Sequence, residues 1–249
     1  MATERLINSA IPPVVSHLHI LVFGSSLLVY NTQHIIKWQQ YTYGLHRNMR
    51  GWYFLFFSTG MVMVIASLFW LSMEMLITCI VLSIFTFTYS WPLLPGKRRL
   101  REYGWLKIMV LAGVWTIVTS ILPLLYSSKH IIDYPFEILL RFVFVFTLCV
   151  IFDIRDMQTD SESHIDTLPN KVGIKNSYRL INSTLVLFVL LSVIQYYRYP
   201  VNGRLIGAVV TAMATTVVVR YIKKHPSGKA YLGLADGVMI LYALLILLL

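Results

Sequence analysis

Long apolar runs separated by short polar links make up most of the chain. Eight apolar segments can be counted, at about residues 12 to 31, 52 to 71, 73 to 91, 105 to 126, 132 to 152, 178 to 197, 205 to 222 and 230 to 249. Each approaches the roughly 20 apolar residues that a helix needs to cross ~30 Å of hydrocarbon. Runs such as VLFVLLSVI lack the alternation of apolar and polar residues that marks a membrane β-strand. Closed helices satisfy their own backbone groups inside lipid. The pattern therefore predicts an all-α fold, a polytopic transmembrane helical bundle of about eight helices. No fixed-period repeat or low-complexity stretch interrupts it, and no link is long enough for a second folded unit, so residues 1–249 read as a single membrane domain.

Composition strengthens that reading. Hydrophobic residues make up 57% of the chain and charged residues only 13%, about half the share usual in a soluble domain. Net charge is +10. In a membrane protein such an excess reflects links that face an anionic cytoplasmic leaflet, and nucleic-acid binding is set aside. The distribution of the basic residues gives the topology. Lys37, Arg47 and Arg50 follow the first segment, and Lys97, Arg98, Arg99, Arg101 and Lys107 follow the third. Arg155, Lys171, Lys175 and Arg179 follow the fifth, and Arg220, Lys223, Lys224 and Lys229 the seventh. The opposite side offers Arg5, Lys129, Arg198 and Arg204. Sixteen basic residues against four place the first set in the cytoplasm and both termini outside.

The first residues lack the charged region, apolar region and cleavage site of a secretory signal, so the chain reads as unprocessed. Cys79 and Cys149 both sit in apolar runs, where they read as inert thiols rather than as a disulfide or a metal motif. Trp52, Trp91, Tyr103, Trp105 and the Tyr196 to Tyr199 group lie near segment ends, where amphipathic rings settle at the head-group level.

One stretch carries candidate chemistry. Asp153, Asp156 and Asp160 follow the fifth segment at i, i+3 and i+7. On a continuing helix they would share one face, a concentration of negative charge that invites cations. Such oxygens suit Mg²⁺, which is held by a few carboxylates together with substrate phosphates. A solvated acidic loop is the plain alternative. On the same side lies Lys97-Arg98-Arg99-Leu100-Arg101 with Lys107 just beyond. Arg and Lys are natural partners of diphosphate oxygens, although positive-inside topology explains most such runs.

The sequence FDIRDMQTDSESHIDTLPNKVGIKNS, from Phe152 to Ser177, resembles the second aspartate-rich motif of the UbiA superfamily of intramembrane prenyltransferases, with Thr167, Leu168, Pro169 and Gly173 trailing it. Tyr89-Ser90 and the basic link to Lys107 are similar to a loop of that family. The resemblance covers most of the chain from about residue 20. It implies that Asp153, Asp156 and Asp160 are catalytic and hold Mg²⁺ against an isoprenyl or polyprenyl diphosphate. Asn31, Lys37, Tyr89, Lys97, Arg98, Arg101 and Lys107 are the implied substrate contacts. Ionisation of the allylic diphosphate would be followed by attack of an acceptor, within a bacterial plasma membrane. Phe142, Phe144, Phe146, Tyr89 and Trp115 are candidate lining residues for the carbocation, with ordinary packing as their alternative.

This chain departs from the family at the first motif. Where the family has Asn-Asp-x-x-Asp-x-x-x-Asp, this sequence reads Asn31-Thr32-Gln33-His34-Ile35-Ile36-Lys37-Trp38-Gln39. The asparagine remains, the aspartates do not, and the hydropathy pattern shows one helix fewer than the family's nine. A terpene cyclase on the same scaffold, or a non-catalytic binder of prenyl lipids, are the rival readings. Other polar residues are ambiguous. Asp236 in the last segment is either functional or reaches interfacial water. Glu137 and Arg141, at i and i+4, are expected to form a local ion pair. His17 and His19 cannot share a helical face. His164 and Asp166 read as loop residues, and Asn182-Ser183-Thr184 is a sequon inside a predicted span.

Overall fold

The computed structural model describes residues 15–40, 50–91, 99–162, 165, 167–225 and 231–248. Among these residues there is no strand, and eight long helices follow one another in the predicted order. They are α1 (His17–Gln40), α2 (Arg50–Leu68), α3 (Met73–Ser90), α4 (Gly104–Tyr126), α5 (Pro135–Glu162), α6 (Ile174–Arg198), α7 (Asn202–Lys224) and α8 (Asp236–Leu248). A π turn at Ile117–Ile121 lies within α4, and another, Tyr231–Ala235, leads into α8. The six helices from α2 to α7 are long and apolar enough to cross a membrane, and α8 lies in a shorter apolar stretch, Gly233–Leu248.

Two helices run further than hydropathy predicts. α1 continues to Gln40, so the stretch from Asn31 to Gln39 lies inside a helix instead of following one. Its polar residues do not break the helix because they bond back to it. The Asn31 amide donates to the Leu27 carbonyl at 2.7 Å, and the Thr32 hydroxyl to the Leu28 carbonyl at 2.6 Å. α5 extends ten residues past the expected end at 152, to Glu162, and carries all three aspartates as helical residues.

Lipid cannot satisfy a hydroxyl, and many Ser and Thr hydroxyls of the spans bond to their own helices. Thr116, Thr147, Ser192, Thr211, Thr215 and Thr216 each donate to the carbonyl four residues earlier. The Thr147 and Thr184 hydroxyl oxygens lie 2.8 Å apart, bringing α5 against α6 and placing the sequon threonine at the contact between them.

α5 is the central helix. Of its span, 61% is buried inside the protein, against 11% for α2 and α3, which present most of their surface to lipid. The core gathers where α4, α6 and α8 meet α5. Phe144, fully buried, packs against Phe188 and Tyr242 with ring centroids 5.4 and 5.0 Å away. It is therefore a packing residue, and its neighbours Phe142 and Phe146 stack on each other.

α1 and α2 form a separate, tightly joined pair. A Cβ at Gly24 would lie 2.8 Å from the Met63 Cβ, and one at Gly60 would lie 2.8 Å from the Gly24 carbonyl oxygen. Small residues at facing positions let two membrane helices approach this closely. At the open end of the pair His17 stacks on Trp70 at 4.4 Å, and His19 bonds with the Ser16 hydroxyl through Nδ1, so the two histidines serve different partners. Gly60→Leu is expected to force the pair apart and to lower stability by about 1–3 kcal/mol. Thermal unfolding of the detergent-solubilised protein checks this, with Gly113→Leu, at a glycine with open space around it, as the mild control.

Candidate functional site

The site is assembled at the end of α5. Asp153 and Asp160 are two helical turns apart on nearly the same face, about 10 Å along the axis. A single cation from the neighbouring helix lies between them. Lys107 Nζ, from the first turn of α4, stands 2.9 Å from Asp153 Oδ1 and 3.0 Å from Asp160 Oδ2. Asp153 is only 2% exposed. Its buried Oδ1 is answered by the ammonium, while its Oδ2 is also buried and has no hydrogen-bond partner.

Asp156 does not join them. At i+3 it lies to one side of the Asp153–Asp160 line, and its carboxylate is gripped in a fork by Arg155. Arg155 Nε donates to Oδ1 at 2.6 Å and Nη2 to Oδ2 at 2.8 Å. The three carboxylates expected on one face are thus divided between two cations, Asp153 and Asp160 on Lys107 and Asp156 on Arg155. Among the described residues no three His, Cys, Asp or Glu side chains gather around one metal position.

Local structure explains how Lys107 arrives there. Leu100–Glu102 forms a 3₁₀ turn closed by Glu102, whose carboxylate accepts from the Arg99 amide at 3.2 Å and lies 3.8 Å from its guanidinium. Gly104, at φ +27°, then turns the chain into α4, setting Lys107 one turn inside it. Arg101 is half-buried in the 3₁₀ turn, and burial, followed by the neighbouring Arg99, holds its guanidinium below its ordinary range. Tyr89, half-buried near the end of α3, lies within electrostatic reach of Lys107, Arg101 and Asp153. The structure therefore brings Tyr89, Arg101, Lys107, Asp153 and Asp160 together.

Beyond the aspartates the chain folds back over the end of α5. The Ile165 amide donates to the Asp160 carbonyl at 2.8 Å. Asn170 Nδ2 donates to the Met157 and Ile165 carbonyls at 3.3 and 3.4 Å, tying down a one-turn helix, Leu168–Val172. Pro169 starts that turn and Gly173, at φ +82°, ends it, a backbone angle that favours glycine, before α6 begins. Thr167 is fully buried here, with an unpartnered hydroxyl oxygen. On the far side of Arg155, Asp236 stands exposed at the head of α8, within range of the guanidinium charge.

Other expected site residues lie elsewhere or cannot be placed. Asn31 is buried on α1 and bonded to its own helix, with no hydrogen bond to the aspartates among the described residues. Lys97, Arg98, His164 and Asp166 fall outside the described residues, as do the side chains of His34 and Lys37. Sequence reasoning missed the partnership of Arg155 with Asp156 and the tie made by Asn170. Adjacency of opposite charges signalled the first, and nothing local signalled the second.

An all-helical bundle of apolar spans, with a charged site at one end of its central helix, defines an integral membrane protein. The chain belongs to the UbiA prenyltransferase family, which it matches over residues 46–245. Its fold is similar to that of a UbiA homologue from Archaeoglobus fulgidus bound to Cd²⁺, with a TM-score of 0.67 and 12% identity, covering 98% of this chain and 90% of that one. It is also similar to a structure described for digeranylgeranylglyceryl phosphate synthase in membranes, with a TM-score of 0.62 and 15% identity, covering 93% and 83%. No curated protein sequence matches the chain significantly.

A buried carboxylate stripped of its cation is costly. Lys107→Met is expected to destabilise the protein by about 3 kcal/mol, and Asp153→Asn in the same chain to recover a large part of that loss. Denaturation of the two single variants and the double variant measures the coupling.

Proposed function

We propose that this chain is an intramembrane prenyltransferase that takes an isoprenyl or polyprenyl diphosphate and transfers the prenyl group to an acceptor. The observation that carries this reading is the Lys107 ammonium seated between Asp153 and Asp160, inside the bundle at the end of its central helix. An ammonium between two acids, with a half-buried guanidinium beside it, is a ready receiver for an anionic head group whose tail lies among apolar helices.

The donor set fits one divalent cation, proposed to be Mg²⁺. Asp153 keeps a buried oxygen with no partner, and Asp160 lies across from it on the same ammonium. Asp156 would join only by leaving Arg155. Two carboxylates plus substrate phosphates are a usual magnesium environment. When bound, such a cation supplies charge neutralisation for the departing pyrophosphate.

The chain's own residues carry the rest. Lys107 exchanges a carboxylate for a diphosphate oxygen, and Arg101, with Lys97 and Arg98 of the same link, adds positive charge where the leaving group gains negative charge. Tyr89 closes the side facing α3. Asn31 and Lys37 of α1 contact the substrate in place of the missing first-motif aspartates. As the allylic carbon–oxygen bond breaks, pyrophosphate leaves with the electron pair. The acceptor then forms the new carbon bond and gives up a proton. Apolar helices keep water from the cation meanwhile. In the membrane, proposed to be a bacterial plasma membrane, the basic links and this site face the cytoplasm, the termini face outward, and the chain forms one membrane domain.

Pyrophosphate release by the purified protein, supplied with Mg²⁺, a panel of prenyl diphosphates and aromatic or lipid acceptors, tests the reading. Release that needs an acceptor is expected, and Asp153→Ala or Asp160→Ala is expected to slow it on the order of 10²–10³-fold. A cyclic hydrocarbon or alcohol formed without acceptor would instead identify a cyclase. Tight binding of prenyl lipid without any release would identify a non-catalytic binder. Full turnover in both alanine variants would remove the site assignment.

A further inference from the structure

The two ends of α5 hold their charge in different ways. At the first end Glu137 and Arg141 are both buried, and Arg141 Nη2 lies 3.3 Å from Glu137 Oε1, confirming the local pair that their spacing predicts. Gln195 of α6 approaches the other Glu137 oxygen through Nε2 at 3.5 Å, and Arg204 and Tyr242 meet them there. At the aspartate end one cation, Arg155, lies within reach of two carboxylates, Asp156 and Asp236. Among the described residues it bonds only the first.

Three features of Arg155 bear on its role. The first is the pair it makes. Its two-point fork on Asp156, with the guanidinium 5.1 Å from the centre of the Phe152 ring, occupies both oxygens of that carboxylate. Asp156 lies between the other two acids in height, ~4.5 Å along the axis from Asp153 and ~6 Å from Asp160, so a turn of its side chain is enough to bring it toward them. The second is the second acid. The π turn Tyr231–Ala235, with Tyr231 and Ala235 buried, packs against α5 and brings Asp236 to the Arg155 end of that helix. Asp236 stands exposed in the first turn of α8, where the helix dipole favours a carboxylate. The third is how readily each pair opens. The Arg155 and Asp156 side chains are 26% and 37% exposed, whereas Lys107 and Asp153 are 15% and 3% exposed. Water screens the first pair and weakens it, while separating the second leaves a charge buried. Moving a guanidinium from one carboxylate to another keeps a charge-assisted bond throughout.

We propose that Arg155 is a positioning residue with two alternative partners: it holds Asp156 apart from Asp153 and Asp160, and passes to Asp236 when Asp156 turns to join those acids on a divalent cation. This rests on the cation proposed above for the aspartates. It gives Asp236, remote in sequence from the aspartate motif, a part in assembling the site.

Binding of Mn²⁺ to the purified full-length protein in a neutral detergent, without prenyl diphosphate, tests the proposal, the free ion being followed by its paramagnetic resonance. Arg155→Met is expected to tighten binding ~10-fold, because Asp156 then has no charged hydrogen bond to break. Asp236→Asn is expected to weaken it ~3-fold, because the displaced guanidinium loses its second partner. A charge acting only through space would do the same in any background. The exchange of partners predicts instead that Arg155→Met has little effect once Asp156 is replaced by Ala, and that Asp236→Asn has little once Arg155 is replaced by Met. Should the methionine variant not fold, Arg155→Lys keeps the charge, loses the planar fork, and is expected to tighten binding to a smaller extent. Unchanged or weaker binding in the Arg155 variants, or an equal effect of Asp236→Asn with and without Arg155, would overturn the exchange and leave the cation site standing. No saturable Mn²⁺ binding in the wild type or any variant would overturn the cation site and the exchange together.

Discussion

One ammonium group joins the two halves of the charged site. Lys107 reaches from the start of α4 to two carboxylates spaced two turns apart on α5. Without it, a nearly inaccessible Asp153 would carry a charge with neither water nor cation beside it, a state disfavoured by several kcal/mol. The bridge therefore sets the position of α4 against α5. It also keeps the aspartates in the bundle rather than turned outward, and leaves one Asp153 oxygen available to a further cation. Much of what surrounds the bridge serves to hold it. The 3₁₀ turn before α4 aims Lys107, and the Asn170 tie holds the chain against the end of α5.

The bundle is built unevenly around that bridge. α5, more than half buried along its span, is enclosed by α4, α6 and α8, with aromatic packing at Phe144, Phe188 and Tyr242. α1 and α2 pack closely on each other through Gly24 and Gly60, and α2 and α3 turn most of their surface toward lipid. Within a membrane there is little hydrophobic gain from joining such helices, and close backbone approach provides the attraction instead. The degenerate first motif lies on this more peripheral pair, and the intact second motif on the most buried helix. The family match, beginning at residue 46, takes in the second and leaves out the first.

α5 carries charge at both ends. At one end the excess is anionic until Lys107 and Arg155 answer it, and at the other it is cationic around Glu137. The helix thus holds its charge at its two ends, with an apolar middle in which neither charge is stable.

Much of this was legible in the residue pattern. The helices, their order and the aspartate stretch all follow from hydropathy and spacing, because in lipid a run of apolar residues has little choice but to form a helix. The Glu137–Arg141 pair was legible for the same reason, since both partners lie on one helix at a spacing that brings them together. Partnership between helices was not. Periodicity put three aspartates on one face, yet the approach of α4 selected Asp153 and Asp160, and a neighbouring arginine took Asp156. Asn31, aligned by motif, spends its amide on its own helix. The meeting of Glu137, Gln195, Arg204 and Tyr242 draws on four helices and has no local signature. A helix face is set by its own sequence, but the atoms that meet it are set by how other helices pack, and only the tertiary structure decides that.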